Sequence, residues 1–260
     1  MVTHSMPATF IGHGSPMNTL EHNRYTQAWN TFATSVGTPR AILSISAHWY
    51  VGATAVTAMK TPRVIHDFSG FPQELFDFDY PAPGAPDVAG EIAEIVKPEL
   101  VDLDESSWGI DHGTWSVLAH MFPDANVPVV QLSINANKPI DHHVDLGAML
   151  APLMKSGVLI LGSGNAVHNL GRIDWSAHGR GHDWAERFDE AVRIQMNDSP
   201  GEIARLMHHQ DYALSVPTPE HFLPLAYVAG IASVEGRTPN VLVGGCELGS
   251  LSMTSFTVSN

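Results

Sequence analysis

Cationic residues are scarce in this chain: 13 Lys and Arg stand against 27 Asp and Glu in 260 residues, a formal net charge of -14 with histidine neutral. Such a surface repels phosphate backbones, and no Lys or Arg cluster forms a local basic patch, so nucleic acid is excluded as a partner. Cysteine is nearly absent. Cys246 stands alone and cannot form an internal disulfide, and its apolar and glycine neighbours suit a buried structural thiol better than a nucleophile. No basic segment followed by an apolar run suggests export, and a reducing cytoplasm is the expected location. Long hydrophobic runs are also missing. The stretches 157–162 and 222–232 are too short or too interrupted for a bilayer, so no membrane partner is expected. Repeats, low-complexity tracts, linkers and shifts of composition do not occur either, and the expectation is a single domain over residues 1–260, as a monomer or small homo-oligomer.

Histidine is present in excess. The count of 15 exceeds all Lys and Arg together, and imidazole is the commonest protein ligand of transition metals. The histidines fall at particular places in the pattern of elements. Residues 8–12 form a short apolar run that breaks into Gly12-His13-Gly14-Ser15-Pro16, which reads as a buried strand ending in a tight loop. Residues 41–47 repeat the design and run into His48-Trp49-Tyr50. Residues 127–134 and 157–162 are two further apolar strands, the latter leaving through Ser163-Gly164-Asn165 towards His168. Apolar runs that do not alternate mark strands buried on both faces. Between them, residues 25–36, 85–96, 115–121, 140–155 and 183–196 carry apolar positions at three-to-four spacing, the signature of covering helices. The class is therefore α/β, with a central mainly parallel or mixed β-sheet covered by helices on both faces. Residues 60–86, rich in proline and aromatics, read as a long ordered loop, and such loops in compact domains usually serve a site.

Ligands gather at the carboxyl ends of strands in open α/β sheets, and His13, His48 and His168 all follow predicted strands. His221, in Pro217-Thr218-Pro219-Glu220-His221-Phe222, stands at the start of an apolar helix. His112, in Gly109-Ile110-Asp111-His112-Gly113, sits in a glycine-flanked loop before another helix. A lone histidine is more often a hydrogen-bonded core or surface residue than a ligand. Five in motif-like loops are improbable as packing alone, and glycines beside His13 and His112 leave room for a ligand to approach. His4, His22, His120, His142, His143, His178, His182, His208 and His209 need only solvated or capping roles. Spacing does not choose the metal, because neither H-E-x-x-H nor paired C-x-x-C is present.

The strings Gly12-His13-Gly14-Ser15-Pro16-Met17, Ser46-Ala47-His48-Trp49, His66-Asp67-Phe68, Tyr80-Pro81-Ala82-Pro83-Gly84, Asp111-His112-Gly113, Gly162-Ser163-Gly164-Asn165, Val167-His168-Asn169-Leu170 and Thr218-Pro219-Glu220-His221 occur in that order. Together with Gly249-Ser250-Leu251-Ser252-Met253, they resemble the class III extradiol ring-cleavage dioxygenase family, LigB type, in its 4,5-DOPA dioxygenase extradiol branch. The resemblance spans essentially the whole chain. It implies that His13, His48 and His221 bind a divalent metal, with His168 as a catalytic residue or additional ligand and His112 as a catalytic partner. Protocatechuate-cleaving relatives complete the site with a glutamate where this sequence offers His221, and Glu220 stands beside it. Fe(II) is expected for ring cleavage, while an all-imidazole set also suits Zn(II). The implied substrates are a small catechol and O2, with Trp49, Trp115, Phe68 and Phe71 as candidate walls. A zinc hydrolase using the same histidines and a non-enzymatic metal-binding interaction protein are the alternatives.

Overall fold

A computed structural model describes residues 5–259, so His4 lies outside the described residues. Among the described residues ten strands are formed: β1 Ala8–Gly12, β2 Ala41–Val51, β3 Ala55–Thr57, β4 Asp102–Asp104, β5 Val129–Asn135, β6 Val158–Gly164, β7 Asn240–Val243, β8 Cys246–Glu247, β9 Leu251–Ser252 and β10 Ser255–Val258. The helices are α1 Arg24–Val36, α2 Gln73–Phe76, α3 Pro86–Ile95, α4 His112–Met121, α5 Ile140–Leu150, α6 Pro152–Lys155, α7 Asp183–Asp198, α8 Tyr212–Ser215 and α9 Leu223–Val234, with short 3-10 turns between.

Eight strands form one sheet in the order β4-β3-β5-β2-β6-β1-β10-β7, and β8 with β9 makes a separate hairpin. The inner four, β5-β2-β6-β1, are mutually parallel. β3 runs against β5 and β10 against β1, so the sheet is mixed at both flanks. Each inner strand is largely buried on both faces because neighbouring residues serve different cores. Phe10, Leu43 and Ile160 face a core with α3, α5, α7 and α9, while Ile11, Ile42, Leu159 and Leu161 face a core with Trp29 and Phe32 of α1 and Trp115 and Leu118 of α4. This explains the continuous apolar runs in the sequence. α9 is buried without interruption from Leu223 to Ala232, as a helix enclosed on all sides must be. Its backbone lies against α5: a Cβ on Gly230 would sit 1.9 Å from the Val144 carbonyl oxygen, and one on Gly147 would sit 2.2 Å from that of Tyr227.

Several boundaries differ from the pattern reading. The helix expected over 140–155 breaks between α5 and α6 at Pro152, which offers no N–H to continue the ladder and whose ring crowds the carbonyl four residues earlier. β2 continues past residue 47, so His48 lies within a strand and not after one. α4 begins at His112, which is its first residue and not part of a preceding loop. The loop over 60–86 holds one helical turn, α2. Cys246 is buried, as expected. No helix among the described residues is long and apolar enough to cross a membrane.

Candidate metal centre

The carboxyl ends of the adjacent strands β2, β6 and β1 open into one cavity of about 320 Å³, walled on its inner side by His13, His48, His112, His168 and His221. All five sequence-predicted histidines therefore meet. Each is delivered by a different local device. His13 follows β1 directly, and its backbone N–H donates to the Gly164 carbonyl at 3.0 Å, tying it to the end of β6. His48 sits where the β2–β5 ladder is interrupted: Ile45 pairs with Leu132 and the next pair is Tyr50 with Ile134. Five steps on one strand thus match two on the other, and the surplus chain turns His48 out of the ladder. His221 is held by the exit of β6, where Asn165 N–H donates to the His221 carbonyl at 2.8 Å. A Cβ on Gly164 would lie 2.2 Å from that same oxygen, so only glycine permits the approach.

His112 is set by Asp111, the N-cap of α4. This fully buried carboxylate accepts from Ser46 Oγ at 2.7 Å, Gln131 Nε2 at 2.7 Å and the Thr114 backbone N–H at 3.1 Å. It joins α4 to the irregular part of β2 and to β5, fixing the relative positions of His112 and His48. The glycine next to His112 leaves room for protein and not for a ligand: a Cβ on Gly113 would lie 2.6 Å from both the His48 ring and Ser46 Oγ. The glycines around His13 likewise accommodate Met253.

The hydrogen bonds determine which imidazole nitrogens face the cavity. Asp67, on the long loop, places Oδ1 at 2.7 Å from His112 Nδ1 and Oδ2 at 2.9 Å from His48 Nδ1. A carboxylate only accepts, so both Nδ1 atoms carry protons, and in the neutral rings both Nε2 atoms keep their lone pairs. Ser163 Oγ donates to the Gly113 carbonyl and lies 2.9 Å from His13 Nδ1. Its single proton is committed, so His13 Nδ1 donates and Nε2 is again free. His221 Nδ1 lies 3.3 Å from Glu220 Oε1, which also accepts from Thr218 Oγ1 at 2.7 Å. Hydrogen bonds to Nδ1 that leave a bare Nε2 are the usual arrangement behind metal-binding histidines.

Ligand nitrogens of His13, His48 and His221 lie within 4.8 Å of one another. His48 Nε2 is buried without a hydrogen-bond partner among the described residues, a costly state for a polar atom unless something binds it. The donor set therefore fits a divalent metal. His168 stands beside these three and not among them. It groups only with His221 and Glu220 and stacks on the His221 ring at 3.5 Å between centroids and 5° between planes.

Burial, reinforced by neighbouring imidazoles, holds His13 and His221 well below the ordinary histidine pKa. Burial also takes His168 down to about 4, so it is neutral at neutral pH. Burial lowers His112 as well, against the opposing hydrogen bond from Asp67. At His48 burial is outweighed by the bond to Asp67 and the charges of Asp111 and Asp67, and its pKa rises. Burial alone would raise Asp67, but the hydrogen bonds and charges of His112 and His48 hold it well below the carboxylate range.

The outer wall is apolar, with Phe68, Phe71, Ile173, Trp175 and Leu251. Two of the four expected aromatic walls are elsewhere. Trp49 is buried and stacks on Trp108 at 5.6 Å. Trp115 is fully buried in the α4 core and donates its Nε1–H to the Ile65 carbonyl at 2.8 Å. Asp67, Asp111 and Ser163 carry their hydrogen-bonding roles without a sequence signature of their own; the available signal is an acid or hydroxyl next to a histidine or glycine.

A parallel-centred sheet with converging imidazoles at its strand ends defines an α/β protein with a candidate metal centre. The family model for the catalytic LigB subunit of aromatic ring-opening dioxygenase matches residues 2–247, and the chain belongs to that family. Among its relatives, a 4,5-DOPA dioxygenase extradiol of Escherichia coli (strain K12) is 46% identical over 258 residues, covering 97% of this chain and 94% of that protein. A 4,5-DOPA dioxygenase extradiol of Beta vulgaris is 35% identical, covering 88% and 87%. The crystal structure of an uncharacterized protein from Escherichia coli K12 superimposes with a TM-score of 0.84 at 42% identity, covering 98% of this chain and all of that one.

Proposed function

We propose that residues 1–260 act as one catalytic domain that opens a catechol ring beside its diol with O2, as in 4,5-cleavage of L-DOPA. In this reading Fe(II) is held by His13, His48 and His221, with His168 as a catalytic residue or additional ligand and His112 as catalytic partner. The observation that carries the reading is the convergence of three imidazoles whose Nδ1 atoms are all engaged behind them, with the buried His48 Nε2 left over. Fe(II) held there would supply the redox chemistry that lets a catechol react with dioxygen.

The chain's own residues do the rest. Neutral His168 accepts a catechol proton, and because burial disfavours its charged form it holds that proton only until it is returned to the departing oxygen. His112 is locked by Asp67 with Nε2 unprotonated and available to the cavity. Phe68 and Phe71 offer a flat apolar face to the ring and exclude water from the proton transfers. Membership of a ring-opening family supports this reading over the hydrolase and the interaction protein.

The test is oxygen uptake with L-DOPA, protocatechuate and simple catechols, using anaerobically Fe(II)-loaded protein, Zn(II)-loaded protein and His168→Ala. Catechol-dependent uptake with iron only, and at least about tenfold slower in the variant, is the expected result. Absence of uptake with every catechol at confirmed iron occupancy would overturn the reading in favour of zinc-dependent hydrolysis.

A further inference from the structure

A second cavity of about 390 Å³ adjoins the histidine cavity, and Ser15, Trp175, Leu248 and Leu251 wall both. The two differ sharply in chemistry. Beyond its histidines and Asp67, whose oxygens are committed to His48 and His112, the first offers a bound ring mostly apolar surface. The second is lined by Glu21, Arg24 and Glu247 together with Asn18 and Asn23. Arg24 is the only Arg or Lys lining either cavity among the described residues, in a chain where cations are outnumbered 27 to 13.

The guanidinium is held in place, and Glu21 and Glu247 line the same cavity without pairing to it directly. It packs over the Tyr25 ring at 4.5 Å, and its Nη2 donates to the Tyr25 hydroxyl at 2.6 Å. Tyr25 in turn donates to Glu247 Oε1 at 3.1 Å, and Glu247 Oε2 accepts from the Gly179 backbone N–H at 2.8 Å. Arg24 makes no ion pair with a carboxylate among the described residues; one Nη2 bond to a phenol leaves the other donors of its fork unused. A planar guanidinium fixed in orientation with free donors is the preferred partner of a carboxylate. Leu248, on the shared wall, stands in the turn between β8 and β9 with φ +52°, followed by Gly249 at +76°. The side chain so placed lies between the two cavities. Trp175 beside it is 72% exposed, an apolar surface that a ligand crossing from one cavity to the other would cover.

We infer that Arg24 is a specificity-determining residue that binds the carboxylate of a catechol bearing a short acidic side chain, the ring lying in the histidine cavity and the tail passing Ser15 and Trp175. This rests on the catechol reading above and goes beyond it in naming the residue that selects the substituent. A strongly acidic protein gains little general attraction for an anionic substrate, so local recognition by one fixed cation is what discriminates.

The test is anaerobic binding to Zn(II)-loaded protein, which does not consume the ligand, read by quenching of Trp fluorescence and by calorimetry. The probes are 3-(3,4-dihydroxyphenyl)propionate and 4-methylcatechol, each titrated into wild type and Arg24→Gln. Wild type is expected to prefer the carboxylated probe by about tenfold or more, and the variant to lose that preference. Equal affinities for the two probes in wild type, or a preference that survives in Arg24→Gln, would overturn the inference. Oxygen uptake by the Fe(II)-loaded protein with 4-methylcatechol tests the catechol reading separately, because that probe carries no carboxylate.

Discussion

Replacing Asp67 by Asn keeps the shape of the side chain and removes one acceptor, and the consequence for the metal centre follows from counting protons. In the native arrangement Asp67 Oδ1 accepts from the His112 backbone N–H at 3.1 Å and from His112 Nδ1–H at 2.7 Å, while Oδ2 accepts from His48 Nδ1–H at 2.9 Å. An amide offers one oxygen and one NH2. The oxygen stays with the two His112 donors, and the NH2 group falls on His48 Nδ1. His48 must then present a lone pair there and carry its proton on Nε2, the atom that otherwise points unpartnered towards His13 and His221. A protonated nitrogen does not ligate. Loss of such an orienting partner costs roughly 10- to 100-fold in metal affinity, or about 1.4 to 2.8 kcal/mol. The assay is competition with a chromogenic chelator for Zn(II) and Fe(II), with circular dichroism to verify the fold. Affinity within about twofold of wild type, at unchanged helix content, would refute the tautomer argument.

Two predictions concern the frame around the site. Gly230→Ala pushes a methyl group against the Val144 carbonyl oxygen and should lower stability by about 1 to 3 kcal/mol in urea denaturation; an unchanged midpoint would show that α5 and α9 separate freely. His143, buried and hydrogen-bonded at 3.0 Å to the Tyr227 hydroxyl, has its pKa taken down to about 4 by burial and then by His142. The unfolded chain therefore binds a proton that the native state refuses between pH 6.5 and 4, and stability present above that window is lost as pH falls through it. His143→Gln should flatten the dependence of urea midpoint on pH there, and an identical slope in the variant would remove His143 as its source.

The inner sheet is legible in the sequence because β2 and β6 begin with continuous apolar runs and β1 carries Phe10 and Ile11, while β5 alternates Val130, Leu132 and Ile134 with Gln131 and Ser133. β3 and β4 are three residues each and β7 and β10 four, too short for periodicity, and β10 earns its place by pairing Val258 with Ala8 across the whole chain. No local pattern encodes that partnership. The histidines were legible through the glycines and strand ends around them. Asp67 was not, since its role exists only when residues 45 and 19 positions away, His112 and His48, are folded onto it. The misplaced tryptophans have the same origin. Whether an aromatic faces a cavity or a core depends on its partner, and Trp49 is turned away by its stack with Trp108.

The loop that carries Asp67 also carries, in the next position, Phe68, whose ring lies 5.3 Å from that of His112. One short segment therefore grips the imidazoles and shapes the space for the aromatic substrate. Substitutions here that widen the cavity for a bulkier ring will loosen the metal at the same time, so the two properties are inherited together. The opposite wall, at Ile173 and Trp175, holds no hydrogen bond to these imidazoles among the described residues. Broadening of substrate range, in nature or by design, has its free ground on that side.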